Sequence, residues 1–166
     1  MSRFVKGNAE TCIGCRTCMI GCVIAHEGFE VFHQSPDEYS FNPKLDIIKT
    51  KDLTIAVQCK HCENAACHNA CPCGAISRED GAVILNRQLC VGCKTCMLAC
   101  PYGAINMVKS SDDKLLANKC DLCKGRARRE CVSVCLTDTL KLVTNETLHE
   151  SNLSKRSSAA HSLPIE

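Results

Sequence analysis

The chain has 166 residues, 45% of them apolar, a formal charge of +2 and 17 cysteines, with no Trp, two Tyr and four Phe. So few large side chains make a thin hydrocarbon core, and no run of about 18 apolar residues is present to span a bilayer. The charge rules out neither nucleic acid nor a membrane surface but encourages neither, and with no aromatic residues interleaved among the basic ones nucleic-acid binding fits poorly.

The N-terminal stretch MSRFVKGNAETCIGC carries neither an apolar signal core nor twin arginines, so a cytoplasmic location is expected. In a reducing compartment an odd number of cysteines serves metal better than disulfides. The first group, Cys12, Cys15, Cys18 and Cys22, has the spacing C-x2-C-x2-C-x3-C, which is the bacterial signature for 4Fe–4S clusters. Three thiolates two residues apart wrap one cluster only if the backbone curls around it, and Gly14 sits where that curl needs a positive φ. The fourth cysteine, a helical turn further on, points to a neighbouring cluster, so the motif implies paired clusters.

Residues 23–58 form the largest insertion. Within it KLDIIKTKDLTIAVQ predicts two strands joined at Lys51-Asp52, a hairpin packed beside the clusters. His26 and His33 are expected on the surface. The next stretch, CKHCENAACHNACPCGAI, holds five cysteines. Cys59, Cys62, Cys67 and Cys71 keep the opening C-x2-C and the closing C-x3-C-P, which leaves Cys73 as a spare thiol. His61 and His68 are expected to hydrogen-bond near the cluster. The alternative is zinc, with CKHC and CHNAC supplying finger-like ligands.

The third group, Cys90, Cys93, Cys96 and Cys100, repeats the first spacing, with Gly92 matching Gly14 and Pro101 following. The fourth, Cys120, Cys123, Cys131 and Cys135, is stretched like the second. After Cys71 and Cys100 comes a similar plan of Gly-Ala-Ile, polar turn and short apolar run. It recurs after 29 residues from Cys71 to Cys100 and, degraded, after 35 to Cys135. Short strands are predicted around Ala75–Ser77, Val83–Leu85, Ile105–Val108 and Leu140–Val143. Lys119, Lys124, Arg126, Arg128 and Arg129 surround the fourth group as a docking patch, a device that raises one cluster's potential, or plain compensation for cluster charge. Sixteen thiolates around four cores of charge 2+ would bring the chain to about −6. Beyond residue 144 the sequence turns polar. Thr144 or Asn145 could cap a short helix there, and the tail reads as a loose end or as a docking or self-assembly helix using Leu148 and Leu153.

RFVKGNAETCIGCRTC, QCKHCENAAC, ACPCGAISREDGAV, CVGCKTCMLACPYGAI and NKCDLC, in this order, resemble the four-cluster ferredoxin-like electron-transfer subunits of molybdenum and tungsten oxidoreductases. The likeness runs over roughly residues 3–143. It is strongest to the small iron–sulfur subunits of formate dehydrogenase–hydrogenase systems, including formate hydrogenlyase and hydrogen-dependent carbon dioxide reductase. The resemblance implies four 4Fe–4S clusters with crossed ligation. One takes Cys12, Cys15, Cys18 and Cys135; its neighbour takes Cys22, Cys120, Cys123 and Cys131. The central pair takes Cys59, Cys62, Cys67 with Cys100, and Cys71 with Cys90, Cys93 and Cys96. Two departures from the family pattern stand out: Leu136 replaces the usual proline after Cys135, and the segment between groups three and four is short.

The expected fold is α+β: tandem bacterial-ferredoxin-like modules in two pseudo-twofold halves, with the hairpin as an insertion. Residues 1–144 form the cluster domain and 145–166 the tail. The expected function is electron transfer with no catalytic residue of its own. Implied partners are a molybdopterin- or tungstopterin-dependent formate dehydrogenase, a hydrogenase subunit, and paralogous iron–sulfur subunits or further copies of the chain. A free-standing polyferredoxin, the iron–sulfur subunit of another molybdopterin oxidoreductase and a zinc-stabilised interaction module are the alternatives.

Overall fold

A computed structural model describes residues 3–35, 41–110 and 112–161. Among these residues the strands are short and pair in twos. Strand β1 (Phe4–Lys6) lies antiparallel to β8 (Lys141–Val143), with Phe4 opposite Val143. The other pairs are hairpins: β2 (Leu45–Lys49) with β3 (Thr54–Gln58), β4 (Ile76–Glu79) with β5 (Ala82–Leu85), and β6 (Ile105–Lys109) with β7 (Leu115–Lys119). Sheets this narrow are marginal in water unless one face is covered. Here the cover comes from helices that carry cysteines.

Helix α1 (Thr17–Glu27) packs on α4 (Glu130–Ser133), and α2 (Ala66–Asn69) on α3 (Thr95–Ala99). Gly21 makes the first contact possible, because a Cβ there would lie 2.8 Å from Val134 Cγ2. Helix α1 stops at Gly28, whose φ of 87° ends the turn, and a 3-10 turn over Phe29–His33 follows.

The core has two centres. Val5, Leu45, Ala56, Ile84, Leu122 and Leu140 surround Cys18, Cys22 and Cys131 in one. Ile76, Val83, Ile105 and Ala117 surround Cys67 and Cys96 in the other. Buried thiols thus take places that large hydrocarbons fill in an ordinary core.

The hairpin turns where Lys51-Asp52 places it, and its Leu45 and Ala56 enter the first centre. The sequence pattern misses β1 and β7. The tail differs from the short helix expected: α5 (Asn145–His161) runs 17 residues with none of them buried. Thr144 starts it, its Oγ1 accepting the Thr147 amide at 3.4 Å while Thr147 Oγ1 accepts the Thr144 amide at 2.8 Å. Among the described residues no helix is long and apolar enough to cross a membrane.

Candidate iron–sulfur centres

Each of the four C-x2-C loops holds a left-handed residue at its third position: Gly14 (φ 70°), His61 (47°), Gly92 (69°) and Leu122 (56°). That turn folds the loop so that both thiols face one side. Glycine takes the conformation without strain, whereas for His61 and Leu122 it costs about 1–3 kcal/mol each. The same curl aims amides at sulfur. The His61 N–H donates to Cys59 Sγ and the Leu122 N–H to Cys120 Sγ, both at 3.4 Å. Hydroxyls two residues beyond Cys15 and Cys93 do the same in groups one and three, Thr17 and Thr95 each donating at 3.4 Å. The third cysteine of each group then lies in a helix: Cys18 in α1, Cys67 in α2, Cys96 in α3 and Cys131 in α4.

The thiols meet across motifs. Cys12, Cys15, Cys18 and Cys135 line one hollow. Burial, followed by the neighbouring Cys15, Cys135 and Cys12, pushes the Cys18 thiol up to about 11. Cys71, Cys90, Cys93 and Cys96 line another, where burial and then Cys90, Cys71 and Cys93 raise the Cys96 thiol. Around Cys131, burial and then Cys120, Cys123 and Cys22 drive the thiol far upward. Burial also raises Cys67; the Lys119 charge opposes it, while Cys59 and Cys100 add to it. Cys62 closes the loop that begins at Cys59. Four thiols forced together in this way cannot all ionise without a cationic core among them.

These surroundings suit 4Fe–4S clusters. The donors are soft thiolates, and amide and hydroxyl donors already point at sulfur. His61 is fully buried, its Nδ1 accepts the Val83 amide at 2.9 Å, and burial holds its pKa down at about 3. The proton of the neutral ring is therefore on Nε2, a buried N–H with no protein partner among the described residues. Two of these thiol sets line a hollow rather than a point. No three His, Cys, Asp or Glu side chains among the described residues converge closely enough for a single metal ion.

Cys73 is half-buried, with its Sγ 3.7 Å from Cys71 Sγ. Nδ1 of His68 bonds the carbonyl of Ile76, and His33 is exposed.

Two expectations need correction. His26 is not a surface residue. It is largely buried against the first centre, Nδ1 donating to the Cys22 carbonyl at 2.7 Å and Nε2 to Asp121 at 2.9 Å. Burial alone would lower its pKa, but the bonds to Asp121 and Cys22 outweigh that and hold it at about 10. Asp121 also accepts the Cys123 amide at 2.9 Å. It is a positioning residue for the fourth loop that sequence reasoning missed, signalled only by its place inside CDLC. Nor does Lys119 belong to a docking patch, since it is 1% exposed, which leaves it the readings of a charge that raises a cluster's potential or compensates cluster charge. The rest of that run is exposed or half-buried: Lys124 pairs with Glu79, Arg128 lies 3.5 Å from Glu130, and Arg129 donates to the Arg126 carbonyl at 3.1 Å.

Residues 51–145 match the 4Fe-4S dicluster domain family. The chain is 40% identical over 170 residues to electron transport protein HydN of Escherichia coli K12, covering 94% of this chain and 96% of that one. Hydrogenase-4 component A of the same strain is 31% identical over 198 residues, covering 96% of this chain and 91% of that one. AegA, also of that strain, is 40% identical over 161 residues, but the chain spans only 24% of its length.

Proposed function

Because the chain belongs to the 4Fe-4S dicluster domain family and is an iron–sulfur electron-transport protein, we propose that it relays single electrons through four 4Fe–4S clusters between a formate dehydrogenase and a hydrogenase. The observation that carries this reading is the crossed meeting of thiols. Thiols of group one lie near those of group four, and thiols of group two near those of group three, which supports a crossed assignment into four quartets. In this assignment Cys12, Cys15, Cys18 and Cys135 hold one cluster, and Cys22, Cys120, Cys123 and Cys131 the next. Cys59, Cys62, Cys67 and Cys100 hold the third, and Cys71, Cys90, Cys93 and Cys96 the fourth.

Such clusters, once bound, supply one-electron chemistry. The chain's own part is to fix the thiolates, direct N–H groups at sulfur and exclude water from the inner sets. It also leaves two openings. Cys15 and Cys93 are the exposed cysteines, and each follows an exposed aliphatic residue two positions earlier, Ile13 at 64% and Val91 at 68%. They belong to the two outermost quartets, so apolar contact with a redox partner is available at either end. The protein works as a carrier, with substrate chemistry left to its partners, and the unburied α5 serves as a docking or self-assembly element. The hydrogenase-linked name of one relative supports the hydrogen side of the assignment.

The experiment is anaerobic purification from the native host, with Fe, acid-labile sulfide, Zn, Mo and W quantified per chain. About sixteen Fe and sixteen sulfide, with co-purifying Mo or W, are expected. Iron without Mo or W replaces the formate partner with another or with free diffusion. Zinc in place of iron ends the proposal.

A further inference from the structure

Strand β5 pairs with β4 on one edge only. On its other edge the two polar groups of Val83 are taken by side chains. The Val83 amide donates to His61 Nδ1 at 2.9 Å, and the Val83 carbonyl accepts from Lys119 Nζ. Lys119 Nζ also donates to the Cys120 carbonyl at 2.7 Å. Through one residue of β5, a lysine abutting Cys120 thus meets a histidine from the loop between Cys59 and Cys62. Lys119 and His61 are 1% and 0% exposed, and among the described residues no carboxylate lies within ion-pair distance of Lys119.

Two carbonyls do not require an ammonium. A neutral donor such as an amide NH2 could satisfy both, and a charge taken out of water without a counter-ion is expensive. The fold carries that cost between the second and fourth cysteine loops. What lies on either side explains it. A 4Fe–4S core of charge 2+ with four thiolates has a net charge of −2, and reduction makes it more negative. A fixed cation nearby therefore favours the reduced form and raises the potential. His61, being neutral, adds a donor but no charge.

We propose that Lys119 is the built-in counter-charge of the central junction, raising the potentials of the two clusters that flank it, those of the Cys59–Cys62–Cys67–Cys100 and Cys22–Cys120–Cys123–Cys131 sets. This rests on the cluster assignment given above. The Lys119 ammonium bonds the Cys120 carbonyl beside one set and, through the Val83 it shares with His61, meets the loop of the other. The consequence is a middle that holds electrons more readily than the ends.

The test is a potentiometric titration followed by low-temperature EPR on the full-length, cluster-loaded protein and on two variants. Lys119→Gln keeps donors for both carbonyls and removes the charge; Lys119→Arg keeps the charge. At an ambient potential near the wild-type midpoints, Lys119→Gln is expected to lower the reduced-to-oxidised ratio of two clusters about tenfold. That corresponds to about 59 mV for a one-electron couple. The other two clusters stay in place, and Lys119→Arg restores the shifted pair. Four unmoved midpoints, or four that move together, overturn the proposal while leaving the four-cluster assignment intact. Loss of iron in Lys119→Gln with full iron in Lys119→Arg also overturns it, by making the residue an assembly element. Fewer than four reducible clusters in the wild type is a different failure, that of the assignment beneath it.

Discussion

Replacing Gly92 by alanine separates conformational strain from collision at a cysteine loop. Gly92 has a φ of 69°, and a Cβ built on it would lie inside 3.0 Å of the Leu115 carbonyl oxygen, with the carbonyl carbon at 3.2 Å. The obstacle is backbone at the start of β7, which cannot rotate away as a side-chain tip could. Gly74, beside the same quartet, has a φ of 63° and nothing within 4 Å of its built Cβ. Both alanines carry the left-handed cost of about 1–3 kcal/mol. Only Gly92→Ala adds the displacement of packed backbone, about 1–3 kcal/mol more. The assay is iron and sulfide per chain after anaerobic reconstitution, with absorbance near 400 nm. Gly74→Ala should retain near-full iron. Gly92→Ala should lose about four of sixteen Fe, the content of one cubane, because β7 and the Cys90–Cys93 loop can no longer both hold their places. Equal iron in the two variants would refute the steric argument.

Cys73→Ala should keep full iron and sulfide, whereas Cys71→Ala should lose about one cubane's worth, although the two sulfurs are 3.7 Å apart; elemental analysis of the pair decides which is the ligand. Deleting residues 146–166 should leave iron content and visible absorbance unchanged, since α5 buries nothing; an altered spectrum would mean that the helix supports the cluster domain. Stripping iron with a chelator under reducing conditions should abolish most of the ordered far-UV circular dichroism outside α5, because both core centres are built around thiols that then repel or protonate. Asp121→Asn should weaken the grip on His26 and on the Cys123 amide, costing about 1–3 kcal/mol for the charge-assisted bonds, read as faster iron loss to chelator than in the parent protein.

The iron–sulfur character of the chain was legible because ligand spacing is a strict requirement of the cofactor and leaves its record in cysteine identity and count. The hairpin was legible for a local reason, alternating strands around Lys51-Asp52. Gly14 and Gly92 announced their backbone conformation, but His61 and Leu122 hold the same one without being glycine. There the loop geometry is dictated by two cysteines and overrules residue preference. The burial of Lys119 was not legible, because lysine is almost never fully buried unless paired and its partners, the carbonyls of Val83 and Cys120, leave no mark in a sequence. His26 misled for a related reason, since its counterpart Asp121 is far along the chain. Strand β1 escaped notice because three residues of ordinary composition pair with β8 at the opposite end of the domain. The full length of α5 was hidden by its lack of an apolar stripe.

The pairing of Phe4 with Val143 has a bearing on how the protein comes into being. A chain emerging from the ribosome exposes its first cysteine group early, yet β1 and α1 find their partners, β8 and α4, only when nearly the whole domain has been made. The middle segment, from Cys59 to Cys100, holds α2 packed on α3 and the β4–β5 hairpin, all of which are complete well before that. Maturation should therefore proceed from the inside outward, with the thiols of the first group among the last to be enclosed. During that interval Cys12, Cys15 and Cys18 are open to oxygen and to misplaced metal, which makes the delivery of iron and sulfide to the nascent chain a question of timing as much as of affinity.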